Sequence, residues 1–372
     1  MFFRKPVEVV TYNGAPHFQP RLMEHFEKVT YFLSGLIVLL SMLISLPAHA
    51  ILEGISYVPI TDENQVYVIN TAEHTVLKKI TVGMHPIVVR ALPDRSKIYV
   101  DNFGPLGNQI SVIDTKTNTV IKTIYTNGAP YASMELTRDG RYLYVPTDFS
   151  VVHVIDTQTD RIVKTFGVSL LPAGIQLSPD DKTLYVFYPN TVAAYSADNG
   201  ALTKPMLSVQ GLAPGWATLT ADGKKMYAIN ALSSNIVTID TQAWKVTKSI
   251  FQPLTALPLS GTLTPDGKKL YICNIGTYNM TIIDTGTDTI EKVIPTKYTP
   301  IYVSFNAAGT EAYLSNLGPL TNLPPLARPI LFDFFYFLPP GIPGNITTYD
   351  VASGTPKGVT VTGNGPVVGV YF

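Results

Sequence analysis

Residues 258–293 read PLSGTLTPDGKKLYICNIGTYNMTIIDTGTDTIEKV, and the fold is decided there. Four short segments of alternating apolar residues follow one another: LSGTLT, KLYICN, MTIID and TIEKV. Turn-formers separate them, first Pro265-Asp266-Gly267, then Gly276 to Asn279, then the Thr-Gly-Thr-Asp run from Thr285. Period-two apolarity bounded by Pro, Gly, Asn and Asp is the mark of short antiparallel strands. A single four-stranded sheet cannot bury either face alone, so it needs copies of itself on both sides.

The chain supplies them. The Tyr of the second strand recurs at Tyr57, Tyr99, Tyr144, Tyr185, Tyr227, Tyr271 and Tyr313, in steps of 42, 45, 41, 42, 44 and 42 residues. A period in the low forties with four strands per unit predicts the blades of a β-propeller. The Pro opening each innermost strand gives a second register, at Pro86, Pro130, Pro172, Pro214, Pro258, Pro300 and Pro366. The two registers are offset. The repeat region opens with second, third and fourth strands (residues 55–82) and closes with a lone first strand, residues 366–372. Joined, the two ends complete a seventh blade and remove the open sheet edges that invite aggregation. The expected fold is therefore an all-β, seven-bladed propeller of four-stranded antiparallel blades.

Tyr99-Val-Asp-Asn102, Tyr227-Ala-Ile-Asn230, Tyr271-Ile-Cys-Asn274 and Tyr313-Leu-Ser-Asn316 resemble the Tyr-Val-Thr-Asn signature of the YVTN β-propeller repeat family. So does Ser111-Val-Ile-Asp114 with its following Thr-Lys-Thr-Asn-Thr, and Pro265-Asp266-Gly267-Lys268-Lys269 is similar to the turn before that family's second strand. Tyr57, Tyr144 and Tyr185 keep the Tyr-Val pair but lack the closing Asn. The resemblance covers residues 51–372 and implies an exported or cell-surface propeller, in a family many of whose members have no known activity.

Residues 1–50 stand outside the repeat. Arg4, Lys5, Arg21 and Lys28 precede an uncharged apolar run, Thr30 to Leu46, and Pro47-Ala48-His49-Ala50 follows it. That order predicts a secretory signal peptide cut after Ala50, with residues 1–22 a mis-assigned start if synthesis begins at Met23. The rival is an uncleaved membrane anchor, since about 18 apolar residues can span a bilayer. Both readings place the propeller outside the cytoplasm: periplasmic, secreted or on the cell surface. Lys and Arg together number 27 and so do Asp and Glu, so no electrostatic case exists for nucleic acid. The lone Cys273 lies in an apolar strand pattern and reads as a buried, inert thiol.

Recurrence explains most of the carboxylates. Asp114, Asp156, Asp240, Asp284 and Asp350 each end a third strand, and Asp94, Asp139, Asp180, Asp222 and Asp266 each precede a second strand. Such residues are expected to bond backbone N–H groups of their own turns. Arg90 and Glu135 are unusual within first strands and are expected to pair between adjacent blades.

Function is expected on the loops joining fourth to first and second to third strands, which share one face. Their contribution to the rim is mostly apolar and aromatic: Met84, His85, Asn127, Tyr131, Leu170, Leu171, Leu212, Trp216, Leu254, Leu257, Tyr298, Tyr302 and Asn364. His85, Tyr131, Trp216 and Tyr302 are candidate binding residues. The last second-to-third loop, 317–344, is longer than the others and carries Phe332, Phe334, Phe335, Tyr336 and Phe337 between Pro pairs. These aromatics are candidates too, as a plug of the channel, a lid over a hydrophobic ligand, or a patch for a protein or membrane partner. Membrane contact is expected, if anywhere, through the N-terminal segment or residues 326–340.

Catalytic and metal signals are thin. Residues 51–372 hold three histidines, His74, His85 and His153, none at metal-ligand spacing, and neither a Gly-rich phosphate loop nor a nucleophile elbow is present. No catalytic residue, metal or cofactor is assigned. The sequence thus favours a non-enzymatic protein-binding or scaffolding module. The alternative is a propeller enzyme of lactone hydrolase or lyase type with its site at the channel mouth, an analogy of fold only.

Overall fold

The computed structural model describes residues 52–103, 107–130, 133–318 and 343–372. Seven four-stranded antiparallel sheets form the ring. Six are continuous in sequence, spanning 86–125, 135–167, 174–208, 214–251, 258–295 and 299–364. The seventh is composite: Ile55–Ile60, Gln65–Asn70 and Thr75–Thr81 are completed by Val370–Tyr371 as the innermost strand. Tyr57 pairs with Val370 and Ser56 with Tyr371, and Ile60 bridges Pro366. The two ends of the repeat region therefore close the ring, as the offset registers require.

The second and third strands carry the alternating apolar residues and are buried on both faces. The outermost strands are largely exposed, and mostly only one side chain, such as Ile80 or Ile124, turns inward. The innermost strands vary most. The second blade keeps only Glu135–Leu136, with Pro130 reduced to an isolated bridge to Thr147. Bulges at the Pro86, Pro214, Pro258 and Pro300 strand starts break the ladder where the chain turns down into the channel.

Apolar clusters fill the wedges between blades. One joins Tyr99, Ile110 and Val112 of the first continuous blade to Met134, Leu143 and Ile155 of the next. All seven repeated tyrosines are buried, at 0 to 5% exposure. Several hydroxyls reach across to the neighbouring blade: Tyr57 donates to Asn118 at 2.5 Å, Tyr99 to Asp160 at 2.5 Å and Tyr227 to Asp288 at 2.6 Å. Asn118, Asp160 and Asp288 hold the left-handed position of the turn between third and fourth strands, at φ of 54°, 50° and 53°. Asn and Asp tolerate that conformation. Where Trp244 takes the equivalent place, it stacks on Tyr185 at 6.0 Å instead.

The recurring acids do what recurrence implies. Asp114, Asp240 and Asp284 accept backbone N–H groups two or three residues on. Asp139, Asp180 and Asp222 accept from a Thr or Ser hydroxyl and a backbone amide of their own turn. Cys273 is fully buried, and burial pushes its thiol up to about 12. Among the described residues no helix is long and apolar enough to cross a membrane. Residues 1–50 lie outside the described residues, and so do 319–342.

Candidate functional site

Two features of the ring are not explained by the repeat. The first is the loop face. Fourth-to-first and second-to-third loops lie side by side within a blade: Leu232 N donates to Leu212 O, Asp148 N to Ala129 O and Gly276 N to Ala256 O. Their tips carry exposed apolar side chains, Leu170 (80%), Leu171 (69%), Leu212 (54%), Leu232 (53%), Leu254 (75%) and Phe149 (71%). Leu257, expected on the rim, is buried at 3% and packs with Ile275, Ile301 and Val367. Its neighbour Ala256 is buried as well, at 1%, whereas Leu254 is exposed.

The second feature lies on the axis. Innermost strands of six blades enclose a cavity of about 210 Å3, lined among others by Arg90, Glu135, Gln176, Thr218, Thr262 and Tyr302. Arg90 and Glu135 pair across the boundary of adjacent blades, Nη2 to Oε1 at 3.3 Å, and Arg90 Nη1 also donates to Val89 O. Burial pushes the Glu135 carboxyl up, and the Arg90 guanidinium pulls it back. The inter-blade pair read from the sequence is present. Its exposure to a cavity that also gathers Gln176, Thr218 and Thr262 was not legible, because it depends on which inward positions of separate strands reach the same height.

Trp216 and Tyr302 come together in this cavity rather than on the outer rim, their rings 5.3 Å apart and inclined at 56°. The Tyr302 hydroxyl reaches toward Thr262 without a well-aligned bond, and burial raises its pKa. His85 is not part of the group. It occupies a left-handed loop position (φ 50°), its N–H bonded to Asn64 Oδ1 at 2.9 Å, and burial lowers its pKa. Tyr131, Phe332, Phe334, Phe335, Tyr336 and Phe337 lie outside the described residues.

Asp101, on the strand beside Arg90, was missed entirely. It is fully buried, and neither carboxyl oxygen has a hydrogen-bond partner among the described residues. Burial pushes its pKa up to about 8, against the pull of the Arg90 charge. The signal was available: Asp101 sits where the other Tyr-x-x-Asn strands carry Ile, Cys or Ser.

Comparison with known proteins agrees on architecture. Residues 51–175 match the family model described as the cytochrome D1 heme domain. Over 160 residues the chain is 31% identical to a seven-bladed beta-propeller protein of Mycobacterium tuberculosis, a match covering 41% of this chain and 40% of that one. A second match, to Antigen Lp49 of Leptospira interrogans, is 31% identical over 120 residues and covers 28% of this chain and 26% of that protein. The chain thus aligns with well under half the length of either relative. Among solved structures, hydrazine synthase of Kuenenia stuttgartiensis is similar with a TM-score of 0.64 at 20% identity, covering 71% of this chain and 89% of that one. Dihydro-heme d1 dehydrogenase gives a TM-score of 0.63 at 14% identity, covering 85% and 75%. A protein of unknown function from Desulfotomaculum acetoxidans gives 0.68 at 15%, covering 85% and 99%. The chain is a seven-bladed β-propeller. At these identities the solved structures speak to fold alone.

The partial family match raises the question of a haem. Haem iron is held by His, Cys, Met or Tyr side chains. Among the described residues, none of the lining side chains is His, Cys or Met, and Tyr302 is the single residue of a ligating type. His153 lies in a buried third strand with its Nδ1 2.8 Å from Thr165 Oγ1, and it does not line the cavity. About 210 Å3 is also below the roughly 300–1,000 Å3 usual for drug-sized ligands and cofactors. The described residues do not fit a haem at the axis.

Proposed function

We propose that this propeller is a non-catalytic binding module of the YVTN type, exported from the cytoplasm, whose protein partner docks on the loop face. The observation carrying this reading is the set of leucines at 54 to 80% exposure on the loops leading into three successive blades, Leu170, Leu171, Leu212 and Leu254. Apolar tips grouped on one face mark interaction surfaces, because leaving them in water serves no folding purpose. The flanks of the aromatic loop support the same face: Glu311–Leu317 ends there and Pro343–Asp350 begins there. Export rests on the basic lead, apolar run and Ala-His-Ala of the first 50 residues, and the YVTN assignment on the Tyr-x-x-Asn strands.

The test replaces Leu170, Leu171 and Leu254 by Asp in the full chain and compares capture of partners from the exported fraction of the source cells. The expected result is an unchanged unfolding midpoint with loss of a partner held by the wild type. Equal capture by both proteins would refute the loop face as the docking surface. The enzyme reading retains one observation, the convergence of Arg90, Glu135 and Tyr302 on a cavity. Lactone hydrolysis abolished by Glu135→Gln would establish it.

A further inference from the structure

The axial cavity has the character of a site rather than a packing defect. Its polar walls are under-used. Gln176 and Thr218, half-buried and open to the cavity, have no side-chain hydrogen bond to another described residue, and Thr262 Oγ1 is buried without a partner among them. Polar groups enclosed in this way are normally satisfied, by protein, water or ligand. The charges on the wall cancel, Arg90 against Glu135, and one Arg90–Glu135 contact at 3.3 Å leaves the other carboxylate oxygen and further guanidinium N–H groups free to bond. The opposite wall is aromatic, Trp216 tilted against Tyr302.

Space is kept open by glycine. A Cβ on Gly215 would meet nothing within 4 Å, and one on Gly174 nothing nearer than 3.9 Å, so neither glycine is there to relieve a clash. Neither has the positive φ that would demand glycine. Gly215 is exposed, placing the opening at the level where the innermost strands start. The volume corresponds to roughly seven waters at about 30 Å3 each, the scale of one small ring.

We propose that this cavity binds a neutral, hydroxyl-rich small molecule of the size of a single sugar ring. The wall offers donors and acceptors in similar measure: an amide and two hydroxyls, a spare carboxylate oxygen, and guanidinium N–H groups. Only a ligand that both donates and accepts at several points satisfies them together. A ligand with net charge would unbalance a pair that is neutral as it stands, and burying an uncompensated charge is costly. The C–H face of a sugar ring suits the Trp216 indole, which supplies apolar area at little loss of side-chain freedom. This site is independent of the loop face and survives its failure.

The test is isothermal titration calorimetry of the full chain with glucose, galactose and myo-inositol, set against serine as a zwitterion and succinate as an anion. At least one neutral polyol is expected to bind with Kd at or below about 1 mM. Gly215→Leu, which fills the cavity, and Gln176→Leu, which removes one hydrogen-bonding group, should each weaken it at least about tenfold. Circular dichroism melts should show the midpoint of Gln176→Leu unchanged, so that loss of binding is not loss of fold. The proposal is overturned if no polyol binds the wild type, if serine or succinate binds more tightly, or if both variants bind like the wild type.

Discussion

Two sets of charged side chains cross blade boundaries in this ring, and they do different work. In the outer set, Lys97 and Tyr99 converge on Asp160, and Lys225 and Tyr227 converge on Asp288. The arrangement is the same at both boundaries, and every member has its partner. In the axial set, Arg90 meets Glu135 once, beside Asp101, whose carboxyl has no partner among the described residues, and a cavity whose polar walls have bonding capacity to spare. A group that recurs at the period of the blades serves the blades. One that occurs once, with bonds unmade, is available to something else.

The largest effect expected concerns what both sets presuppose, the closed ring. Deleting residues 366–372 removes the strand that pairs with Ser56 and Tyr57 and exposes the edge of Ile55–Ile60. Cooperative thermal unfolding should be lost, with aggregation seen by size-exclusion chromatography. A truncated chain melting within a few degrees of the full one would show that the ends do not close the ring.

Next comes the axial pair. Arg90→Met leaves the Glu135 carboxylate enclosed without its partner and should destabilise by about 3–5 kcal/mol, whereas Arg90→Met with Glu135→Met should be close to neutral. At the outer latch, Lys225→Met should cost less, about 1 kcal/mol, since Asp288, though as enclosed as Glu135, keeps the Tyr227 hydroxyl as a hydrogen-bond donor. Denaturant titrations of the four proteins measure the contrast. Equal losses at Arg90 and Lys225 would erase the distinction between the two regions.

Asp101 sharpens it through pH. Its folded pKa of about 8 lies above the ordinary carboxylate value of 3.8, so between the two the native state holds a proton that the unfolded chain has released. Stability should therefore fall as pH rises from about 4 to about 8, by at most about 1.4 kcal/mol per unit, and level off above. Asp101→Asn should flatten that slope. The acids of the recurring turns behave oppositely: backbone N–H groups lower the pKa of Asp114 and Asp284. Their small contributions are present above the ordinary carboxylate range and are lost as pH falls through it. Tyr227→Phe should be of the same small order as Lys225→Met, about 1 kcal/mol from one inter-blade hydrogen bond, read from the same titrations.

The ring was legible in the sequence because its information is periodic. Seven tyrosines at near-constant spacing, and seven prolines that keep it except across the long last loop (Pro300 to Pro366, 66 residues), fix blade number, strand order and the composite closure, and turn acids recurring at one register announce their structural role. The cavity was only half legible. Arg90 and Glu135 stood out as charges in apolar strands, but Gln176, Thr218 and Thr262 look ordinary in their own segments. What assembles them is the common height of inward positions on six separate strands, a property of the closed ring. Asp101 lay within a recognised motif and was read as one more variant of it, and its burial follows from the Arg90 side of the same blade boundary.

The division of labour is tested most directly by measuring unfolding midpoint and polyol affinity in parallel for Asp288→Asn and Gln176→Leu. The account predicts a crossover: Asp288→Asn lowers the midpoint and binds as the wild type does, while Gln176→Leu keeps the midpoint and loses at least about tenfold in affinity. Variants in which both quantities fall together, or in which the latch variant alone loses affinity, would contradict it.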